Sequence, residues 1–146
     1  MKIDSIQNGV VLDHIQAGKS MEIYKYLNLD KLDCSVAIIK NVRSAQMGKK
    51  DIIKVECPIE ALDLEILGFI DHNITVNIVK GERIVEKRPL ALPSEVKNVI
   101  KCKNPRCITS IEQELDQVFT LADPEKEVYR CMYCEEKYSN KKKRIL

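Results

Sequence analysis

The sequence predicts an α+β chain in two parts: an antiparallel sheet with two helices on one face, then a smaller β-rich segment organised by cysteines. Three observations carry that prediction. β-branched and apolar residues fill five short stretches before residue 88, and two further stretches repeat apolar residues at helical spacing. Pro89 and Pro93 then punctuate Arg88-Pro-Leu-Ala-Leu-Pro93, where the backbone cannot extend a central strand. Beyond them stand Cys102-Lys-Asn-Pro-Arg-Cys107 and, after 23 intervening residues, Cys131-Met-Tyr-Cys134.

Gly9 leads a first strand over residues 10–15, which Ala17-Gly18 ends. Residues 20–27 follow as a short helix, with Ser20 as its cap and Ile23 and Leu27 on one face. Residues 34–42 are β-branched and apolar and make a second strand; residues 44–49, with Gly48, turn the chain into a third over 51–56. Pro58 suits the first turn of a second helix, along which Ile59, Leu62, Ile66 and Phe69 fall on one stripe and Gly68 weakens the end. Residues 74–79 form a fourth strand. Lys80-Gly81 reads as a two-residue hairpin turn, returning the chain as a fifth strand over 83–87. The order β-α-β-β-α-β with one added strand is the ferredoxin-like arrangement. The proline segment divides the chain into domains 1–92 and 93–146. In the second, residues 117–121 and 126–130 are strands around an Asp123-Pro124 turn.

Two short cysteine loops, each delivering a pair of thiolates, are what a tetrahedral zinc site needs. Cys102, Cys107, Cys131 and Cys134 leave no coordination position open, so one zinc ion per chain would be structural and not catalytic. Two disulfides, or four unconnected core cysteines, are the competing readings, and the absence of an apolar export segment after Met1-Lys-Ile-Asp argues against the first. About fifty residues with few aromatics need help to fold, and structural zinc supplies on the order of 10–16 kcal/mol. Cys34 and Cys57 stand outside the quartet and read as buried free thiols.

Composition is that of a globular protein, 45% apolar and 32% charged, with no run near the roughly 18 apolar residues of a membrane span. A cytoplasmic chain without a membrane partner is the expectation. Net charge is only +2, which does not announce a nucleic-acid binder. A zinc-ribbon protein binding nucleic acid remains the alternative, suggested by the quartet and by Lys141-Lys-Lys-Arg144. Residues 94–146 hold 11 Lys/Arg against 9 Asp/Glu, but only 7 against 9 without those four tail cations, so the module lacks a basic stripe. A rubredoxin-like iron carrier fits poorly, because the first cysteine loop has four intervening residues.

Period two sorts the third strand. Ile53 and Val55 point to the helix-covered core, while Lys50, Ile52 and Lys54 point to the open face. Two lysines flanking an isoleucine make a cationic, partly apolar patch suited to a phosphorylated small molecule, although any open sheet face carries lysines. Asp13 and His14 end the first strand; neighbours in a regular strand face opposite ways, so they form no acid/base dyad, and although both could border a ligand at a strand end, a surface Asp and a surface His are the commoner explanation. His72, between Asp71 and Asn73, reads as solvent-facing loop. No phosphate-binding glycine loop, His-Glu-x-x-His or Gly-x-Ser-x-Gly is present, and no nucleophile–base pair stands out, so binding is favoured over catalysis.

Taken together, Val11-Leu-Asp-His-Ile15, the stretch from Gly48 to Glu56, Arg88-Pro with Leu92-Pro93, and the quartet closing on Cys134-Glu resemble the regulatory chain of aspartate carbamoyltransferase, over about residues 9–139. The resemblance implies a non-catalytic subunit of pyrimidine biosynthesis. Its first domain would bind nucleoside triphosphates, with CTP (often with UTP) inhibiting and ATP activating. Its zinc domain would grip catalytic chains, and regulatory homodimers would bridge catalytic trimers. Matched by motif position, Lys87 and His14 would face phosphates, and Asp13 and Lys54 the ribose and base. Ile3, Asp4 and Ile6 match a segment whose backbone lines the base pocket, Asn77 and Val79 its far wall, and Ile84 completes it. Lys50 lies beside this set. Two departures leave nucleotide preference open: Glu82 stands where the familiar pattern has an aromatic, and the Lys87 stretch is one residue shorter before Pro89.

Overall fold

The structure, a computed structural model, describes residues 6–139, in two compact units of residues 1–90 and 91–146. Ile3 and Asp4 lie outside the described residues, as does the basic tail from Lys141 to Arg144.

In the first unit the chain runs β1 (Gly9–Gln16), α1 (Ser20–Tyr26), β2 (Val36–Ser44), β3 (Gly48–Val55), α2 (Leu64–Ile70), β4 (Thr75–Lys80) and β5 (Arg83–Arg88). All neighbouring strands are antiparallel, in the order β2-β3-β1-β4-β5. Without β5 this is the strand order of the β-α-β-β-α-β repeat. One face is the core: Val10, Leu12 and Ile15 of β1, Ile53 and Val55 of β3 and Val76 of β4 pack with Ile23 of α1 and Leu67 of α2. Gly9 is required where β1 starts beside β3, because a Cβ there would overlap the carbonyl oxygen of Val55.

Asp51 also points into this core and is solvent-inaccessible, one residue pair from Ile53 on β3. Its carboxylate accepts backbone N–H bonds from Gly18 (3.1 Å), Ser20 (3.4 Å) and Asn41 (3.0 Å). The first two donors lie at the start of α1, so Asp51 caps that helix from across the sheet. Ser20, expected as the cap, is instead the buried first helical residue; Lys19 is the N-cap and makes no side-chain cap bond. The third donor, Asn41, sits at φ 60° in the bulge where β2 shifts register against β3. A second bulge lies on β1, where the register moves between Leu12 and Ile15 and His14 adopts φ 62°.

Two local expectations are corrected. Residues 58–70 are not one helix. A 3-10 turn (Ile59–Ala61) ends in extended Leu62, and α2 starts afresh after Asp63, whose Oδ1 accepts from the N–H groups of Glu65 (3.1 Å) and Ile66 (3.2 Å). Aspartate is worth more as a cap than inside a helix, which breaks the run there while Leu62 and Phe69 still reach buried positions. The β4–β5 turn is Gly81-Glu82, not Lys80-Gly81: Lys80 pairs with Arg83, and both turn residues have positive φ (58° and 65°) as a type I′ hairpin requires. Glu82 N–H donates to Gln7 C=O (2.9 Å) and Gly81 N–H to Asn8 Oδ1 (3.2 Å), tying the segment after Ile6 to the hairpin tip.

Cys34 and Cys57 are also corrected. They are not free thiols but a disulfide, with Cα atoms 6.1 Å apart. Val36 opposes Val55 in the β2–β3 register, and two residues further out that register sets Cys34 against Cys57.

The second unit is a sheet in the order β6-β7-β8-β9, built from Glu95–Lys97, Val118–Asp123, Val128–Cys131 and Lys137–Ser139, with one helical turn, α3 (Ile108–Ile111). The three-residue strands and α3 carry too few periods to announce themselves in sequence. Val96, Val118, Phe119 and Tyr129 are buried, and Phe119 meets Tyr138 edge to face at 6.5 Å. Tyr129 donates its hydroxyl to Pro93 C=O (2.7 Å), and burial, with the Glu127 carboxylate, pushes its pKa up to about 12.

Burial alone would raise the Asp51 pKa, but the amides of Asn41, Gly18 and Ser20 outweigh it and hold the carboxyl below the ordinary value. A carboxylate stabilised this way contributes fully above the unfolded pKa, near 4, and loses the contribution as pH falls through the lower folded value. Asp51→Ala should therefore cost about 3 kcal/mol at pH 7, from three stranded amides, and less at pH 3. Urea unfolding at the two pH values measures this; equal losses at both would show that the carboxylate charge contributes nothing.

Candidate functional site

The four cysteines of the second unit converge. Cys102 and Cys107 flank a turn held by Asn104, whose carbonyl accepts from Cys107 N–H (3.1 Å) and from Ser110 Oγ (2.7 Å). Cys131 ends β8, and Cys134 returns in a tight turn closed by Glu135 N–H to Cys131 C=O (2.8 Å), with Glu135 at φ 65°. The Gln117 side chain joins the two halves, accepting from Cys102 N–H (3.1 Å) and donating to Thr109 C=O (3.4 Å).

All four sulfurs lie within 4.8 Å of one another; Cys102 to Cys134 is 3.4 Å and Cys107 to Cys131 is 3.7 Å. Four thiolates about 2.3 Å from a central tetrahedral ion stand about 3.8 Å apart, so the observed set fits that group. The Thr109 hydroxyl, 3.1 Å from Cys107 Sγ, lowers the pKa of that thiol, whereas burial raises those of Cys102 and Cys131. Four crowded, half-desolvated sulfurs are poor neighbours as thiols. A bound cation resolves this, because coordination deprotonates them and the ion neutralises the charge. With every position taken by sulfur, the metal is structural.

Of the expected ligand residues of the first unit, Lys54, Asn77, Val79, Ile84 and Lys87 lie on the open sheet face, opposite the helices. Paired residues of antiparallel strands share a face, and the register makes one row of Ala37, Lys54, Val11, Asn77 and Lys87. Gly9, Val79 and Ile84 form a second row. Lys54 and Lys87 therefore flank Val11 and Asn77. Among the described residues neither lysine is ion-paired, and the buried Asn77 amide oxygen has no hydrogen-bond partner. Ile84 is exposed beside the buried Val79, and Ile6 is buried.

Asp13 and His14 behave differently from neighbours in a regular strand, because the β1 bulge intervenes. Asp13 Oδ1 pairs with Lys50 Nζ (2.9 Å) and accepts from His14 N–H; His14 Nδ1 lies 3.1 Å from Thr75 Oγ1. Burial would raise the Asp13 pKa, but Lys50 and the His14 amide lower it on balance. Thr75, missed in the sequence reading, was signalled by its phase with Asn77 and Val79 on β4. His72 is half-buried in its turn and not a freely solvated loop residue.

Comparison with known proteins agrees with this division. Residues 1–91 match the model of the aspartate carbamoyltransferase regulatory chain, allosteric domain, and residues 94–144 that of its metal binding domain. The chain belongs to this regulatory-chain family. It is 53% identical over 139 residues to the regulatory chain of Clostridium botulinum, covering 95% of this chain and 94% of that one. Against the Clostridium tetani chain it is 51% identical (94% and 96% covered), and against that of Bifidobacterium longum 43% (93% and 97%). It is thus a regulatory and not a catalytic chain of aspartate carbamoyltransferase, with a structural metal held by Cys102, Cys107, Cys131 and Cys134. Among the described residues no helix is long and apolar enough to cross a membrane.

Removing the metal should collapse the second unit selectively. Chelator added to the loaded chain is expected to abolish amide protection in β7 and β8 while β1 and β3 keep theirs, as followed by hydrogen exchange. Undiminished protection in β7 would mean that the aromatic cluster and not the ion holds that unit.

Proposed function

We propose that the chain binds nucleoside triphosphates, CTP, UTP and ATP, on the open face of the first unit and passes their effect to catalytic chains held by the second. The row Lys54–Val11–Asn77–Lys87 carries this reading. Two ammonium groups without an ion pair among the described residues suit phosphate oxygens and ribose, the buried Asn77 acceptor has no donor among those residues, and Val79 and Ile84 offer an apolar wall to a base. His14 lies toward the phosphates with Lys87; Asp13, kept ionised by Lys50, and Lys54 lie toward ribose and base. Ile6, anchored nearby through the Gln7 and Asn8 bonds to the hairpin tip, borders the pocket, to which Ile3 and Asp4 are assigned by motif position.

The metal is zinc, one per chain, since a borderline-soft d10 ion accepts four thiolates without redox chemistry. Exposed Ile108, Ile111, Leu115, Met132 and Tyr133 around the cysteine loops support a protein-facing surface for the catalytic chain. Strands β2 and β5 end the sheet and leave backbone edges on which a second copy can dimerise. The residues 1–92 and 93–146 act as allosteric and catalytic-chain-binding domains of a cytoplasmic complex in pyrimidine synthesis. Coupling between them requires that each nucleotide bind two states of the assembly unequally.

Lys54→Ala and Lys87→Ala are each expected to weaken CTP and ATP binding about tenfold, the effect of one charge-assisted contact, while leaving assembly with catalytic trimers intact. Calorimetry on the free chain and sedimentation of the mixture measure the two properties separately. Assembly lost with binding preserved would refute the site map, and trimers whose kinetics ignore CTP and ATP in the assembled complex would refute the function.

A further inference from the structure

We propose that Cys34 and Cys57 form a reversible redox clasp that sets the rigidity of the β2–β3 edge and, through Lys54, the affinity of the nucleotide face; this last step rests on the function proposed above. Several observations converge on it. The pair lies in register two residues beyond Val36 and Val55, where the β2–β3 ladder ends and only the Glu56 N–H to Ser35 C=O bond (2.9 Å) continues it. The Cα separation of 6.1 Å suits a disulfide without backbone movement. Both residues pack against the core, yet both are only half-buried. Cys57 also lines an open cavity of about 690 Å³ with Asn8, Pro58, Ile59, Val79 and Arg88, which gives a thiol in solution an approach to that side of the disulfide.

The rest of the chain argues against a permanent staple. Four further cysteines must remain reduced to hold the metal, so the protein works where thiols persist. A disulfide in such surroundings is characteristically transient, and accessible ones are the labile, regulatory kind. The chemistry balances with a dithiol reductant. Its thiolate attacks Cys57 Sγ, the Sγ–Sγ bond breaks, and Cys34 leaves as a thiolate that takes a proton from water. The reductant's second thiol attacks the mixed disulfide, releasing Cys57 and closing the reductant's own disulfide. Two electrons and two protons pass to the protein. A low-molecular-weight disulfide re-forms the pair: the Cys57 thiolate attacks it and expels one thiolate, and the Cys34 thiolate then attacks the mixed disulfide and expels the second.

Opening the clasp frees the end of an edge strand. Lys54 is three residues from Cys57 and Ala37, its cross-strand neighbour, three from Cys34. The lysine would then lose a fixed backbone support and the binding row its preorganisation.

The metal-loaded full chain, equilibrated in glutathione buffers of graded ratio, tests this. Alkylation mass against a Cys34→Ser/Cys57→Ser variant should reveal two extra thiols appearing within the buffer range while metal is retained. The Glu56 amide should exchange at least tenfold faster in the reduced chain, and ATP and CTP should bind at least threefold more weakly; the double variant should show the reduced values and ignore the buffer. A pair that never oxidises, or never reduces without unfolding, overturns the proposal. So does unchanged exchange, or measurable nucleotide binding of equal strength in both states. If neither state binds any triphosphate, the nucleotide site fails, and the proposal in the form stated here fails with it, whereas redox-dependent exchange would still register the clasp by itself.

Discussion

The buried carboxylate of Asp51 collects three backbone donors that have no other service in the core: two at the start of α1 and one at the bulge of β2. The Ser20 amide and the Asp51 carboxylate are both buried, so each supplies the partner that the other needs there. Because the donors come from three separated stretches of chain, one side chain fixes where the helix begins and where the edge strand bends. The sheet beneath the helices has its geometry set there. The opposite face inherits it.

That inheritance matters because the open face is a matter of register. Lys54, Val11, Asn77 and Lys87 come from three strands plus an added fifth, and they share a row only while β1 is aligned with both β3 and β4. At the end of β1, opposite Asp51, the bulge interrupts alternation and turns Asp13 toward Lys50 and His14 toward Thr75. Bulges redirect side chains in this way at many binding sites. Here one extra residue breaks the strict alternation that would send these two neighbours to opposite faces.

The second unit reaches order by a different route. Its sheet has two strands of three residues, and its buried aromatics are Phe119 and Tyr129. Such a core is small for its chain length, and a four-thiolate ion supplies what burial does not. Met132 and Tyr133, in the second cysteine loop, stay exposed beside that cluster.

Local chemistry was legible from the sequence. The five strands, the position of α1 and the pairing of two short cysteine loops are written in short-range periodicity and spacing, and the motifs from Val11 to Cys134 carried the family. Asp51 was legible in principle, as a charge in phase with Ile53 and Val55, but its meaning needed partners from residues 18, 20 and 41. Asp63 likewise was a visible cap that the apolar stripe concealed. Only the tertiary structure decided the β1 bulge, the Gly81-Glu82 turn, the shared row of Lys54 and Lys87, and the union of Cys34 with Cys57. These depend on which residues strand pairing brings opposite one another across long stretches of chain, and a shift of a single residue in that pairing reverses every face while leaving the local pattern unchanged.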